Sequence, residues 1–185
     1  MTIEPMTTEP DRRAARGSHD SEPAPSVAHI GRDDTDVIDI LGIHCAWKVT
    51  EADSGGHYCM LEMHVPPGAG VPMHQHEQQE AFVVVEGDAE FTRLGGGTQS
   101  AQWFKVAPGE TVNVPSWAMH GFRNPGEEPI RILLICARGI EPFFRDVGIP
   151  VVRGAALPTS PPSQESIARV IGIAMRAGQR FAPPT

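Results

Sequence analysis

The feature that most constrains the fold of this chain is the regular recurrence of glycine and proline between short apolar segments. Nineteen glycines and 18 prolines stand among 185 residues. From residue 35 to residue 137, turn-forming clusters recur every 8 to 12 residues or so, a spacing typical of antiparallel sandwiches. No segment of about 10 to 15 residues with helical periodicity separates these strands, which argues against a parallel α/β sheet. The pattern predicts an all-β sandwich or barrel. The clusters lie at 53–56, 66–68, 87–88, 95–97 and 108–109.

Composition divides the chain into three parts. Residues 1–34 are rich in polar and charged side chains with almost no apolar periodicity, which predicts a disordered acidic tail. Residues 35–140 hold the strand pattern and predict the β-barrel. Residues 141–185 predict a C-terminal extension with a helix at about 163–177, where Ser163 is a suitable N-cap. We expect the apolar stripe of this helix to pack on the outside of the sheet; it comprises Ile167, Val170, Ile171, Ala174 and Met175.

Charge and cysteine content exclude several classes of partner. The formal net charge is −8 at pH 7 and the pI is about 5.4, which argues against nucleic acid and anionic membrane surfaces. No run of about 18 apolar residues predicts a membrane span. No apolar stretch near the start resembles a secretory signal, and the three scattered cysteines give no disulfide framework. We therefore expect a cytoplasmic protein.

Three histidines and one glutamate are candidates for a metal site. His74 and His76 are two residues apart in an extended segment, so their side chains share a face, with Cα atoms roughly 6.5 Å apart. Glu80 has the same parity, and His120 begins a later strand after Pro115. Three imidazoles and a carboxylate suit divalent Fe, Mn, Ni, Co, Cu or Zn and disfavour Ca or Mg. A six-coordinate metal would keep two positions open for a small molecule.

These residues fall within two motifs that resemble those of the cupin superfamily. The first motif is matched at every fixed position, by Gly68-x5-His74-x-His76-x3-Glu80-x6-Gly87. The second is matched except at Trp117, where the family usually has glycine, by Gly109-x5-Pro115-x-Trp117-x2-His120-x3-Asn124. The short spacer and the C-terminal tail are similar to those of single-domain bacterial cupins of the quercetinase-like dioxygenase group.

The resemblance implies a jelly-roll barrel with one divalent transition metal at its centre. His74, His76, Glu80 and His120 match the four ligand positions of the family. The alternative is a hydrogen-bonded polar core of the same four side chains without metal. A Trp does not readily adopt a positive φ, so we expect the turn before His120 to differ from the family's. Trp117 would then shade the barrel mouth. By parity with the ligands, Phe82 and Phe122 would line a substrate pocket, the alternative being that they fill the core.

The resemblance further implies a metal-dependent oxidoreductase, namely a dioxygenase acting on a neutral phenolic, enolic or polyketide-like substrate with dioxygen. Glu80 would serve as metal ligand, as general base, or as both. Residues 66–90 contain no Lys or Arg, which argues against phosphorylated substrates. Two alternatives stay open: a non-oxidative metal-dependent isomerase, cyclase or lyase, and a non-enzymatic small-molecule-binding protein. Exposed edge strands of a small sandwich predict a homodimer.

Overall fold

The computed structural model describes residues 26–31, 34–94, 100–152 and 154–182. Most of the predicted N-terminal tail lies outside these ranges. Residues 26–30 are exposed and have no regular secondary structure. Twelve strands and two helices are seen in the described residues: β1 Val37–Ile40, β2 Ile43–Val49, β3 Tyr58–Val65, β4 Gly70–Gln75, β5 Glu80–Glu86, β6 Ala89–Leu94, β7 Ala101–Val106, β8 Thr111–Val114, β9 His120–Arg123, β10 Ile130–Ala137, α1 Glu141–Val147, β11 Ile149–Val151, α2 Gln164–Arg176 and β12 Arg180–Phe181.

The strands form two antiparallel sheets. One has seven strands in the order β11-β1-β2-β3-β10-β5-β8, and the other has five in the order β12-β4-β9-β6-β7. Neighbours in each sheet are mostly distant in sequence, as in a jelly roll. The prediction of an all-β jelly-roll class is confirmed.

Alternation along each strand divides the side chains between core and surface. On β3, Cys59, Leu61, Met63 and Val65 are buried, because successive residues of a strand point to opposite faces. The facing sheet contributes Phe91 and other aromatic rings. Phe82, Phe91 and Phe122 lie with ring centroids 5.2 to 5.8 Å apart and fill the centre of the sandwich. Such pairs stabilise a core beyond their buried area.

Segments that follow residue 140 complete both sheets. β11 pairs with β1, and β12 pairs with β4. The predicted helix is present as α2, with the Ser163 side chain accepting a hydrogen bond from the Ser166 N–H. The expectation that α2 packs directly on the outside of the sheet is wrong, because a cavity lies between its apolar face and the two sheets. Met175 is 63% exposed and does not belong to that face.

None of the helices found in the described residues is long and apolar enough to cross a membrane.

Candidate metal centre

Strand register brings the candidate ligands together from both sheets. In the five-stranded sheet, β4 and β9 are adjacent, and His74 lies directly opposite His120. His76 follows immediately after β4. Glu80 begins β5 in the seven-stranded sheet, where it lies opposite Cys136 of β10 and Val114 of β8. The cluster therefore joins the two layers of the sandwich.

A close backbone approach holds the two histidine strands together. The β4–β9 register shifts between Val71 and His74, and Gly121 lies against the shifted segment. A Cβ atom on Gly121 would lie 2.8 Å from the Val71 carbonyl oxygen and 3.1 Å from the Met73 nitrogen. Only glycine allows the strands to approach this closely, because backbone atoms cannot move aside as a side chain can.

The three imidazoles converge to the dimensions of a metal site. Each of His74, His76 and His120 offers a ring nitrogen within 4.8 Å of those of the others. The Oε2 atom of Glu80 lies 3.0 Å from His120 Nε2 and 3.4 Å from His76 Nε2. All four residues are buried, and Glu80 is only 6% exposed. Three buried imidazoles that converge in this way, with a buried carboxylate beside two of them, suit a transition metal.

Backbone carbonyls set the orientation of two of the rings. His74 Nδ1 donates to the Pro72 carbonyl and His120 Nδ1 donates to the Ala118 carbonyl, both at 2.9 Å. A carbonyl only accepts, so the proton of each neutral ring lies on Nδ1 and the Nε2 lone pair faces the cluster. This is the usual arrangement around histidine metal ligands.

Several buried polar atoms of the cluster have no hydrogen-bond partner among the described residues. They are both ring nitrogens of His76, Nε2 of His120 and Oε2 of Glu80. Leaving such atoms unpaired costs about 1 to 3 kcal/mol each. A bound cation would satisfy the inward-facing ones, so the residues fit a divalent transition metal.

The electrostatics keep Glu80 and His74 in the forms that bind metal. Burial raises the pKa of Glu80, but the imidazoles of His120 and His76 outweigh it and lower this pKa to about 2. Burial and the neighbouring His120 lower the pKa of His74 to about 4. Burial lowers the pKa of His120, yet the Glu80 carboxylate raises it more. At neutral pH, Glu80 is therefore ionised and His74 is neutral.

A cysteine also contacts the cluster. The Cys136 thiol donates a long hydrogen bond of 3.7 Å to Glu80 Oε1. Burial, with Cys59 and Glu80 nearby, raises the pKa of Cys136 well above its usual value, so it remains a thiol. The sequence analysis missed this contact, because Cys136 lies 56 residues from Glu80 along the chain and becomes its neighbour only through strand pairing.

His74, His76 and Glu80 open onto an apolar cavity of about 350 Å³. Phe82 and Phe122 also line it, in the position that parity predicted. The cavity lies between the sheets on one side and α1 and α2 on the other. Sequence analysis did not predict that the C-terminal extension forms this second wall. The residues of the wall include Phe143, Phe144, Ile167, Val170, Ile171, Ala174 and Phe181.

Trp117 occupies a different place from the one expected. Its φ is +61°, so it adopts the left-handed conformation and the expectation of a different turn is wrong. Its backbone N–H donates to the His76 carbonyl at 2.7 Å, so this hydrogen bond of the turn does not involve the tryptophan side chain. The ring is 43% exposed and is not among the residues that line the cavity.

Comparison with known proteins agrees with this architecture. Residues 61–136 match the family model of the Cupin domain. The alginate biosynthesis protein AlgA of Pseudomonas putida is 24% identical over 130 residues, which are 64% of this chain and 26% of that protein. The AlgA protein of Pseudomonas fluorescens is 28% identical over 116 residues, 58% of this chain and 23% of that protein. The chain spans about a quarter of the length of these curated relatives.

Solved structures share the fold at low sequence identity. The polyketide cyclase RemF of Streptomyces resistomycificus has a TM-score of 0.52 and 18% identity, covering 76% of this chain and 90% of its own. Oxalate decarboxylase of Bacillus subtilis has a TM-score of 0.51 and 22% identity, covering 62% and 30%. A predicted oxalate decarboxylase of Thermotoga maritima has a TM-score of 0.51 and 17% identity, covering 60% and 100%. At such identities the likeness shows the fold alone.

Proposed function

We propose that this protein, whose residues 61–136 form a cupin domain, is a metal-dependent enzyme acting on a small, neutral, largely apolar molecule with a phenol or enol oxygen. The observation that carries the proposal is a buried cluster of three imidazoles and one carboxylate beside an apolar cavity of about 350 Å³. Cavities of this size hold small organic ligands. The cluster supplies polar chemistry at one end of an otherwise apolar space.

The charges of the cavity favour a neutral substrate. Among the described residues that line it, Glu80 is the one carboxylate, and none is a lysine or arginine. Beyond the proposed metal, an oxalate dianion or a phosphorylated sugar would find no cationic side chain to pair with. Aromatic surfaces at Phe82, Phe122 and Phe181 would instead stack on a planar ring.

Glu80 and the histidines have separate tasks in this proposal. His74, His76 and His120, with Glu80, would hold a divalent transition metal, which supplies Lewis-acid activation of the substrate oxygen. Glu80 accepts the proton of the phenol or enol, since it is the carboxylate that faces the cavity. The Phe82 and Phe122 rings exclude water from the same end of the cavity and orient the substrate.

Dioxygenation of the deprotonated substrate is the first candidate reaction, in line with the resemblance of the motifs and tail to quercetinase-like cupins. Non-oxidative cyclisation is the second candidate. The polyketide cyclase RemF, which shares the fold over 76% of this chain, supplies this candidate by its name. The two reactions differ in whether dioxygen is consumed.

The proposal is tested by elemental analysis of the purified protein and by oxygen-electrode assays with a panel of phenols and enols. Oxygen uptake coupled to substrate loss supports dioxygenation, and substrate loss without oxygen uptake supports cyclisation. Glu80→Gln is expected to abolish turnover, whereas the exposed Glu77→Gln, three residues away, is the matched control and keeps it. Full turnover by the Glu80→Gln protein, or no metal binding by the wild type, would refute the proposal.

A further inference from the structure

The C-terminal segment, defined as α2, β12 and the turn between them (residues 164–182), encloses the cavity from the side opposite the barrel. Ile167, Val170, Ile171 and Ala174 of α2 line it, and so does Phe181 of β12. The barrel supplies the metal ligands, and this segment supplies the facing wall. The space open to a bound molecule therefore depends on how firmly the segment is held.

β12 is only two residues long, yet each of its side chains contacts an aromatic ring of the histidine-bearing region: Phe181 contacts His74, and Arg180 contacts Trp117. Phe181 lies opposite His74 in the register with β4, and its ring stacks on the His74 imidazole with centroids 5.9 Å apart and planes inclined by 27°. Arg180 faces the other way, as strand alternation requires. Its guanidinium carbon lies 5.0 Å from the centre of the Trp117 ring.

Trp117 is the one position at which the second motif departs from the family pattern. The φ of +61° is unfavourable for a side chain of this size. A glycine would make the same turn without strain and would still donate its N–H to the His76 carbonyl. The tryptophan ring thus adds nothing to the turn itself. It provides the exposed aromatic surface on which Arg180 rests.

We propose that Trp117 and Arg180 are positioning residues that fasten the C-terminal segment to the histidine-bearing turn, with Phe181 against His74 and α2 over the cavity. The contact joins the turn that carries the His76 hydrogen bond to the strand that follows α2. This inference rests on the proposed function only in taking the cavity as the substrate site. The cavity would hold the same class of planar, neutral, apolar molecule, between the aromatic side chains of the barrel and α2.

The contact between Arg180 and Trp117 is expected to have a small but measurable effect on local opening of the C-terminal segment. An exposed cation–π pair stabilises its geometry enough to change a local opening equilibrium by about two- to fivefold. Losing it would loosen the segment without unfolding the barrel, since the barrel core lies elsewhere. The bound molecule would then dissociate faster by a similar factor.

The test uses hydrogen–deuterium exchange of the full-length protein in wild type, Trp117→Gly, Arg180→Ala and the double variant. Exchange at residues 164–182 is expected to rise about two- to fivefold in each single variant, with no further rise in the double variant. Arg180→Lys is expected to retain most of the protection. Trp103→Ala is the matched control, because the exposed Trp103 ring receives Arg123 at 4.3 Å in an equivalent contact on β7, at the opposite edge of the sheet from β12.

A second measurement follows the cavity itself. Binding of 2-naphthol, a neutral two-ring phenol, is expected to weaken by about two- to fivefold in Trp117→Gly and Arg180→Ala and to stay unchanged in Trp103→Ala. Unchanged exchange in both single variants, or additive effects in the double variant, would overturn the proposal. Neither readout needs turnover. If the wild type does not bind zinc but exchange at residues 164–182 still rises in the single variants, the proposed function is refuted and this inference stands.

Discussion

Substituting Gly121 by alanine should damage the candidate metal centre through backbone displacement alone. Gly121 follows His120 on β9 and packs against β4, which carries His74. The added Cβ would lie 2.8 Å from the Val71 carbonyl oxygen, 3.1 Å from the Met73 nitrogen and 3.1 Å from the Pro72 carbonyl carbon. All three neighbours are main-chain atoms, so the two strands must separate.

The magnitude follows from overpacking. Inserting a methyl group where the backbone must shift costs about 1 to 3 kcal/mol. For a protein of this size, each kcal/mol corresponds to about 2 to 4 °C in Tm. We therefore expect Gly121→Ala to lower Tm by about 2 to 12 °C. Separation of β4 from β9 also moves His74 away from His120, so zinc affinity should fall by about tenfold or more.

Thermal denaturation and zinc titration measure the two effects. Gly172→Ala is the matched control, because the Cβ it adds in α2 would meet only the end of the Arg176 side chain, at 3.5 Å. That variant should match or slightly exceed wild-type stability, since alanine is the better helix former. If Gly121→Ala melts within about 1 °C of wild type and binds zinc equally well, the steric argument fails.

Three further predictions concern the metal, the cavity wall and the outer face of the sheet. Zinc at a hundredfold excess over its Kd should stabilise the wild type by about 2.7 kcal/mol, or roughly 5 to 11 °C in Tm. His76→Ala should lose this shift in Tm. An equal shift in that variant would contradict the assignment of His76 as a ligand. Ile171→Trp should fill the cavity and reduce 2-naphthol binding at least about tenfold. Met175→Trp, on the exposed face of α2, is the control and should not reduce binding. Equal 2-naphthol binding by the two variants would show that the ligand binds outside the cavity. Burial raises the pKa of Glu62, but neighbouring Lys and Arg side chains lower it below 4.5 overall. Its contribution to stability is therefore present above pH 4.5 and is lost as pH falls through the folded-state pKa. The Tm difference between wild type and Glu62→Gln should shrink with acidification, while the exposed Glu127→Gln should track wild type throughout; a constant Glu62→Gln difference would argue against the linkage.

The sequence was informative wherever local periodicity decides the outcome. Turn clusters at a spacing of about 8 to 12 residues predicted the antiparallel sandwich, and strand parity predicted that His74, His76 and Glu80 share a face. The apolar stripe and the Ser163 cap located α2 to within a residue at each end. Each inference depends on dihedral angles and periods that are properties of a few neighbouring residues.

Long-range packing decided the rest. The stripe on α2 indicated a buried face, but whether it meets a sheet or closes a cavity depends on contacts with strands far away in the chain. Local propensity also argued against a positive φ at Trp117. The tertiary structure overrides that preference, and the exposed ring meets Arg180, which is 63 positions later in the chain.

The chain's own sequence thus determined most of the strands between residues 35 and 137, the second helix and the four candidate ligands, because spacing and residue type carry that information locally. The convergence of His120 on Glu80, the contact of Cys136 with that carboxylate and the apolar wall from the C-terminal segment arose only when the two sheets and α2 packed together. Side chains from separate elements become neighbours through register and packing. Neither is encoded in any short stretch of residues.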